Sequence, residues 1–228
     1  MRRIGSRSAA DVVARIQNGD HDRTRGKQRL IVGISGATGI IYGIRILETL
    51  RKAFVETHLV VSKAGDMTRA YESALSSQEL RRLADVTYAI GDVGAAIASG
   101  SFRTMGMVIA PCSVKTMSEI ANGITSNLLT RAADVVLKER RRLVLLLRES
   151  PLTAIHLRNM LAVTEGGGII APPVPAFYAR PRTLDDIVEH TVGRVLDLFD
   201  IDTGFQRWGE QSNGDRSLVV EAAYGGLP

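Results

Sequence analysis

The residues best suited to chemistry stand in five short stretches. Gly33-Ile34-Ser35-Gly36-Ala37-Thr38-Gly39 is a glycine turn carrying a hydroxyl at Thr38. Its glycines leave room for a ligand beside the backbone, and a helix starting at Ile40 would offer N–H groups and a positive dipole end to an anionic or electron-rich group. The same turn also suits a tight strand-to-helix connection. Ser62-Lys63 and Ser113-Val114-Lys115-Thr116 supply further hydroxyls and amides. Ser113 and Thr116 could meet a phosphate or a heterocycle edge, or Ser113 could simply cap a helix. Lys138, Arg140, Arg141 and Arg142 form a basic cluster of the kind that usually makes a solvated face. Arg148-Glu149 follows a strongly apolar run, where a partly buried carboxylate can act as an acid or base.

Other chemistries find little support. His21, His58, His156 and His190 show no metal-ligand spacing with one another or with Cys112, so no metal site is expected. Cys112 sits in apolar surroundings without a nearby histidine and reads as a small buried residue rather than a nucleophile. The glycine spacing is not G-x-G-x-x-G, and the second strand ends in Ser62-Lys63 where a dinucleotide fold would place an acid for the ribose.

The elements that must position these residues alternate. Leu30–Ile34, His58–Val61, Met107–Ala110, Leu143–Leu147 and Ile169–Ala171 read as strands. Helices are expected after Gly39, after a Ser76/Glu79 capping box, around Val93–Ala98, from Ser113 to Asn122-Gly123, after Asn127, over His156–Glu165, and from Thr183 through Phe199. Strands alternating with helices predict an α/β fold, a doubly wound, mainly parallel sheet covered on both faces. The loops after its first four strands, Ser35 to Gly39, Ser62 to Lys63, Pro111 to Thr116 and Arg148-Glu149, should then converge on one crevice at the carboxyl ends.

The chain has 228 residues, 45% of them hydrophobic, enough for one sizeable domain. Its net charge of +5 lies entirely in the first 29 residues, which hold eight Lys or Arg against three Asp; the rest carries 21 of each sign. Residues 1–28 therefore read as a polar, disordered arm, 29–210 as the folded domain and 211–228 as a tail, with no call for a nucleic-acid partner. No apolar run approaches the ~20 residues of a membrane span. One cysteine permits no intrachain disulfide, and a cytoplasmic location is expected.

Taken in order, several longer motifs are similar to one family. They are the glycine turn, Ser62-Lys63-Ala64, Ala110-Pro111-Cys112-Ser113-Val114-Lys115-Thr116, the run from Asn127 through Arg131, Asp134, Lys138 and Glu139 to Arg141, Arg148-Glu149-Ser150-Pro151, Pro172-Pro173-Val174-Pro175-Ala176-Phe177-Tyr178, and Arg207-Trp208-Gly209-Glu210. Over about residues 28 to 210 the chain resembles the UbiX flavin prenyltransferases. The resemblance implies a flavodoxin-like (Rossmann-type) subunit, usually in a homododecamer, that joins the prenyl group of dimethylallyl monophosphate to N5 and C6 of reduced FMN without a metal. Prenylated FMN would leave for a UbiD-type decarboxylase. By position, Gly36, Ala37, Thr38, Ser62, Ser113, Val114, Lys115, Thr116 and Arg148 would bind the flavin. Tyr178, Arg194, Lys138 and Arg131 would bind the prenyl phosphate, and Glu149, Lys138, Glu72 and Thr38 would serve catalysis. Many relatives carry Ser where this chain has Thr38, which keeps the hydroxyl and adds a methyl. The readings held against this one are an FMN-dependent cysteine decarboxylase of the related flavoprotein family, for which no P-x-M-N-x-x-M-W motif is present, and a non-enzymatic flavin-binding protein.

Overall fold

Leu30, Val32 and Ile34 alternate with Ile31 and Gly33 along the first strand, so one strand feeds two apolar layers. The computed structural model describes residues 28–207. The proposed arm, apart from Gln28, and the tail lie outside the described residues. In chain order the elements are β1 (Arg29–Ile34), α1 (Ile40–Lys52), β2 (Glu56–Val61), α2 (Lys63–Glu72), α3 (Ser77–Arg82), β3 (Val86–Tyr88), β4 (Gly106–Cys112), α4 (Val114–Ala121), α5 (Leu128–Lys138), β5 (Arg142–Leu147), α6 (Ala154–Glu165), β6 (Ile169–Ile170) and α7 (Leu184–Asp197). The sheet is parallel throughout, in the order β3-β2-β1-β4-β5-β6.

This is the expected doubly wound, flavodoxin-like α/β architecture. On one face α1 and α7 pack through Ile40, Ile44, Leu47, Val192, Val195 and Leu196, joined by Phe199 just beyond α7. On the other, α4, α5 and α6 bury Met117, Ile120, Leu128, Leu129, Val136 and Val163. The chain winds outward from β1 to β3, then crosses back to β4 and winds the other way. The carboxyl ends of β1 and β4 therefore flank a switch point, where the diverging crossovers leave a crevice.

The helix starts follow the caps read from sequence. Ser76 with Glu79, Asn127 with Thr130 and Thr183 with Asp186 form capping boxes, and Ser113 accepts a hydrogen bond from the Thr116 amide.

Four expectations need correction. A sixth strand, β3, extends the β2 edge; three half-buried or exposed residues are too few to display an alternation. Helix α2 was unexpected because it has no apolar stripe: Met67 and Tyr71 are exposed, and its only buried residue is Gly65. It docks instead by small residues, since a Cβ on Gly65 would stand 2.8 Å from the Ile34 carbonyl oxygen. The expected helix around Val93–Ala98 is a single 3₁₀ turn at Ala96–Ala98, and α7 ends at Asp197 rather than Phe199.

Candidate functional site at the carboxyl edge of the sheet

Ser35, Ser62, Ser113 and Arg148 each follow a strand, and backbone hydrogen bonds tie their loops together. The Ser62 amide donates to Ile34 O at 2.9 Å, the Ser35 amide to Pro111 O at 3.1 Å, and the Arg148 amide to Cys112 O at 3.1 Å. Buried Ser35 adds a side-chain link, accepting from the Ser113 amide at 2.8 Å and donating to Pro111 O at 3.1 Å. Ser35 was not among the residues expected to build the site. Its position inside the glycine turn was the available signal, and its work is to hold the first loop to the third.

The two glycines of the turn have separate tasks. Gly39 adopts φ +98°, a left-handed conformation that favours glycine. Gly36 lies against α2, where an added Cβ would come within 2.3 Å of the Ala64 Cβ. The room at Gly36 is therefore taken by a helix on that side.

The start of α1 also differs from expectation. Its amides do not all await a ligand: Glu72, from the end of α2, accepts from the Gly39 amide at 2.8 Å and the Ile40 amide at 3.1 Å. Partial burial pushes the Glu72 carboxyl up, but hydrogen bonds from the Thr38 hydroxyl and the Ile40 and Gly39 amides, with the Arg148 charge nearby, outweigh it and hold the group below its ordinary value. Glu72 is thus an anion at neutral pH, a proton acceptor seated beside Thr38 and Arg148.

The start of α4 offers donors of the expected kind. Ser113 caps this helix and also donates to the buried Thr116 hydroxyl at 3.2 Å, while Val114 and Lys115 occupy its first turn, where amides lack helical partners. Ser62 likewise caps α2, accepting from the Gly65 amide at 3.0 Å. Gly36, Ala37, Thr38, Ser62, Ser113, Val114, Lys115, Thr116 and Arg148 share one crevice edge, with Glu72 and half-buried Glu149 beside them. Arg131, in the first turn of α5, sits on the same edge and pairs with Asp134 at 2.7 Å. This set of amides, hydroxyls and guanidinium fits an acceptor-rich, anionic ligand such as a flavin mononucleotide.

Three expected residues are not there. Lys138 ends α5, whose 11 residues span about 16 Å, so it lies toward the opposite edge of the sheet, bonded to Glu139 at 2.6 Å. Tyr178 and Arg194 belong to the α7 side. The Tyr178 hydroxyl lies 3.2 Å from His190 Nε2, and Arg194 pairs with Asp197 at 3.2 Å. A cavity of about 470 Å³ opens on that side too, between α1, α7 and the segments around Ala176–Pro181 and Thr203–Gln206, with Arg45, Lys52, Arg180 and His190 among its walls. It does not reach the glycine turn.

Cys112 is fully buried and burial pushes its thiol far up, which leaves it protonated and unreactive, as expected. Among the described residues no cluster of three or more His, Cys, Asp or Glu gathers as a metal site, and no helix is long and apolar enough to cross a membrane.

The comparisons with known proteins agree with this geometry. The family described as Flavoprotein matches residues 18–196, beginning inside the proposed arm. The flavin prenyltransferase UbiX of Neisseria meningitidis serogroup B is 59% identical over 176 residues, covering 77% of this chain and 93% of that protein. The crystal structure of AnUbiX (PadA1) in complex with FMN and dimethylallyl pyrophosphate superposes with a TM-score of 0.80 at 50% identity, over 82% of this chain and 100% of that one. A dodecameric FMN-dependent UbiX-like decarboxylase from Escherichia coli O157:H7 superposes with a TM-score of 0.78 at 49% identity, over 81% and 100%. With the carboxyl-edge loops, the Glu72 cluster and this level of identity in agreement, the chain belongs to the Flavoprotein family, among its UbiX flavin prenyltransferases.

Proposed function

We propose that the protein transfers the dimethylallyl group of dimethylallyl monophosphate to N5 and C6 of reduced FMN, releasing phosphate and delivering prenylated FMN to a UbiD-type decarboxylase. The observation that carries this reading is the carboxyl-edge crevice, which gathers the start of α4, four hydroxyls, Arg148 and an ionised Glu72 held by Thr38 and the Gly39 and Ile40 amides, in a chain 59% identical to a flavin prenyltransferase. Reduced flavin, when bound, supplies the nucleophilic nitrogen and carbon. The chain's own residues bind, orient and move protons.

The α4 amides and Arg148 take the negative end of the flavin, because Glu72 already fills the α1 terminus and a second anion there would be repelled. Breaking the carbon–oxygen bond of the prenyl donor builds charge on the departing phosphate. Lys138, Arg194, Arg131 and the Tyr178 hydroxyl neutralise it. Glu149 assists proton transfer near the leaving group. Closing the ring at C6 removes a proton, and an ionised carboxylate held by Thr38 suits the role of acceptor for Glu72.

The placement of Lys138, Tyr178 and Arg194 away from the crevice of their own chain favours an assembly in which copies share sites, which supports the homododecamer expected from the resemblance and reported for the Escherichia coli relative. Leu152, Ile155, Leu157 and Leu161 on and before α6, all exposed, offer apolar surface for such contacts. A cytoplasmic location belongs to the same reading; a single buried thiol places no demand on an oxidising compartment. Neither the cysteine decarboxylase nor the non-enzymatic reading is favoured by a specific observation.

The test is anaerobic incubation of the protein with reduced FMN and dimethylallyl monophosphate, followed by mass spectrometry of the released flavin. A gain of one prenyl unit is expected. Unmodified FMN, with binding demonstrated, overturns the reading, and unchanged turnover in Glu72→Gln or Glu149→Gln removes the role given to that carboxylate.

A further inference from the structure

His190 carries no role in any of the motifs above, yet the Tyr178 hydroxyl meets it directly. Its Nε2 lies 3.2 Å from the Tyr178 hydroxyl and 3.1 Å from the Gln206 carbonyl oxygen. A carbonyl oxygen only accepts, so the bond to Gln206 requires a proton on Nε2. The Tyr178 oxygen then faces an N–H and accepts from it, and the phenolic proton is turned away from the imidazole. We propose that His190 is a positioning residue for prenyl transfer: held as the Nε2–H form by the Gln206 carbonyl, it orients the Tyr178 hydroxyl to donate to the prenyl phosphate. The inference rests on the reading of Tyr178 as a phosphate ligand.

The surroundings fix the imidazole in this pose. Its ring is edge-on to Tyr178, with centroids 5.4 Å apart at 83°, and to Phe205, 5.5 Å apart at 89°. Phe205 reaches it only because Gly193 has no side chain; an added Cβ would stand 2.5 Å from the Phe205 Cβ and 2.9 Å from Thr203 Oγ1. Gly193 thereby seats the Thr203–Gln206 segment, whose last carbonyl sets the tautomer. Arg194 stands four residues beyond His190 on the same face of α7, so one turn of helix carries both the Arg194 cation and the group that aims Tyr178.

The experiment is steady-state kinetics with dimethylallyl monophosphate varied at saturating reduced FMN, for the wild type, His190→Ala, His190→Gln, Gly193→Ala and Tyr178→Phe, and for His190→Ala and Gly193→Ala each combined with Tyr178→Phe. His190→Ala should raise the prenyl donor KM about tenfold, the worth of one hydrogen bond to a charged phosphate, while FMN affinity stays constant. His190→Gln, whose amide N–H can donate to the same two oxygens, should stay within about threefold of wild type. Gly193→Ala, which displaces the Gln206 carbonyl but keeps the imidazole, should act like His190→Ala. In the Tyr178→Phe background neither change should add to the loss. Equal losses with and without the Tyr178 hydroxyl, or a Gln variant as impaired as the Ala variant, overturn the role of His190 and leave the enzyme's activity standing. A wild-type protein that binds FMN but transfers no prenyl group overturns the activity, and this role with it.

Discussion

Replacing Gly36 by alanine tests how the first loop of the crevice is held. The new Cβ would stand 2.3 Å from the Ala64 Cβ, 3.2 Å from the Ala64 carbonyl carbon and 3.3 Å from its Cα. Carbon atoms rest about 3.5 to 4.0 Å apart, so the turn and α2 must separate by more than about 1 Å. Neither side yields freely. The turn is tied to β4 and α4 through Ser35, and α2 is pinned by its Ser62 cap and by Gly65 against the Ile34 carbonyl. Overpacking of this kind costs about 1 to 3 kcal/mol. Part of that movement falls on the Glu72 cap, which reaches from α2 to Gly39 and Ile40, so FMN affinity should fall together with stability. Urea unfolding followed by circular dichroism reads the first effect and fluorescence titration with FMN the second. Ala64→Gly in the Gly36→Ala background removes the clash and should restore most of both, less up to about 1 kcal/mol for a glycine in a helix. An unchanged urea midpoint in Gly36→Ala, or no recovery in the double variant, would refute the account of this contact.

Ser35→Ala should cost about 1 to 3 kcal/mol in urea unfolding, because the Ser113 amide loses its buried acceptor, and should weaken FMN binding by loosening the start of α4. Glu72 has a folded-state pKa below its unfolded value, so its contribution is present above the unfolded value near pH 4.3 and is lost as pH falls through the folded one; in Glu72→Gln, unfolding midpoints measured across that acid range should show a shallower decline. His58 titrates in the opposite sense. Burial lowers its pKa, against the raising influence of Glu56 and Asp85 and with the Arg29 charge adding to the drop, so the unfolded chain takes up a proton first. Stability should therefore begin to fall as pH drops below about 6.5, and His58→Gln should lose that part of the slope in thermal scans. Cys112 should resist iodoacetamide in the folded protein at pH 8 and react once urea unfolds it, as followed by mass spectrometry; rapid labelling of the native state would contradict its burial.

Local rules made most of the fold legible in the sequence. The alternation of short β-branched runs with capped helices determined the parallel α/β class, since Leu30–Ile34 and Leu143–Leu147 can only be buried on both faces when helices cover both. The caps at Ser76, Ser113, Asn127 and Thr183 were readable because a cap is a contact between residues two or three apart. The convergence of the crevice loops was readable for a related reason: each lies immediately after its strand, and the topology of a doubly wound sheet gathers such loops at one edge.

Tertiary structure alone decided the rest. Helix α2 docks through Ala64 and Gly65, small residues with no periodic signature, and β3 is held at the sheet edge by pairing with β2 rather than by its own pattern. That Glu72 caps a helix 32 residues earlier, that Gly36 makes room for α2, and that Gln206 sets the proton on His190 are contacts between distant segments. No local pattern encodes them. They arise because packing two layers on one sheet brings chain segments within hydrogen-bond reach irrespective of their separation in sequence.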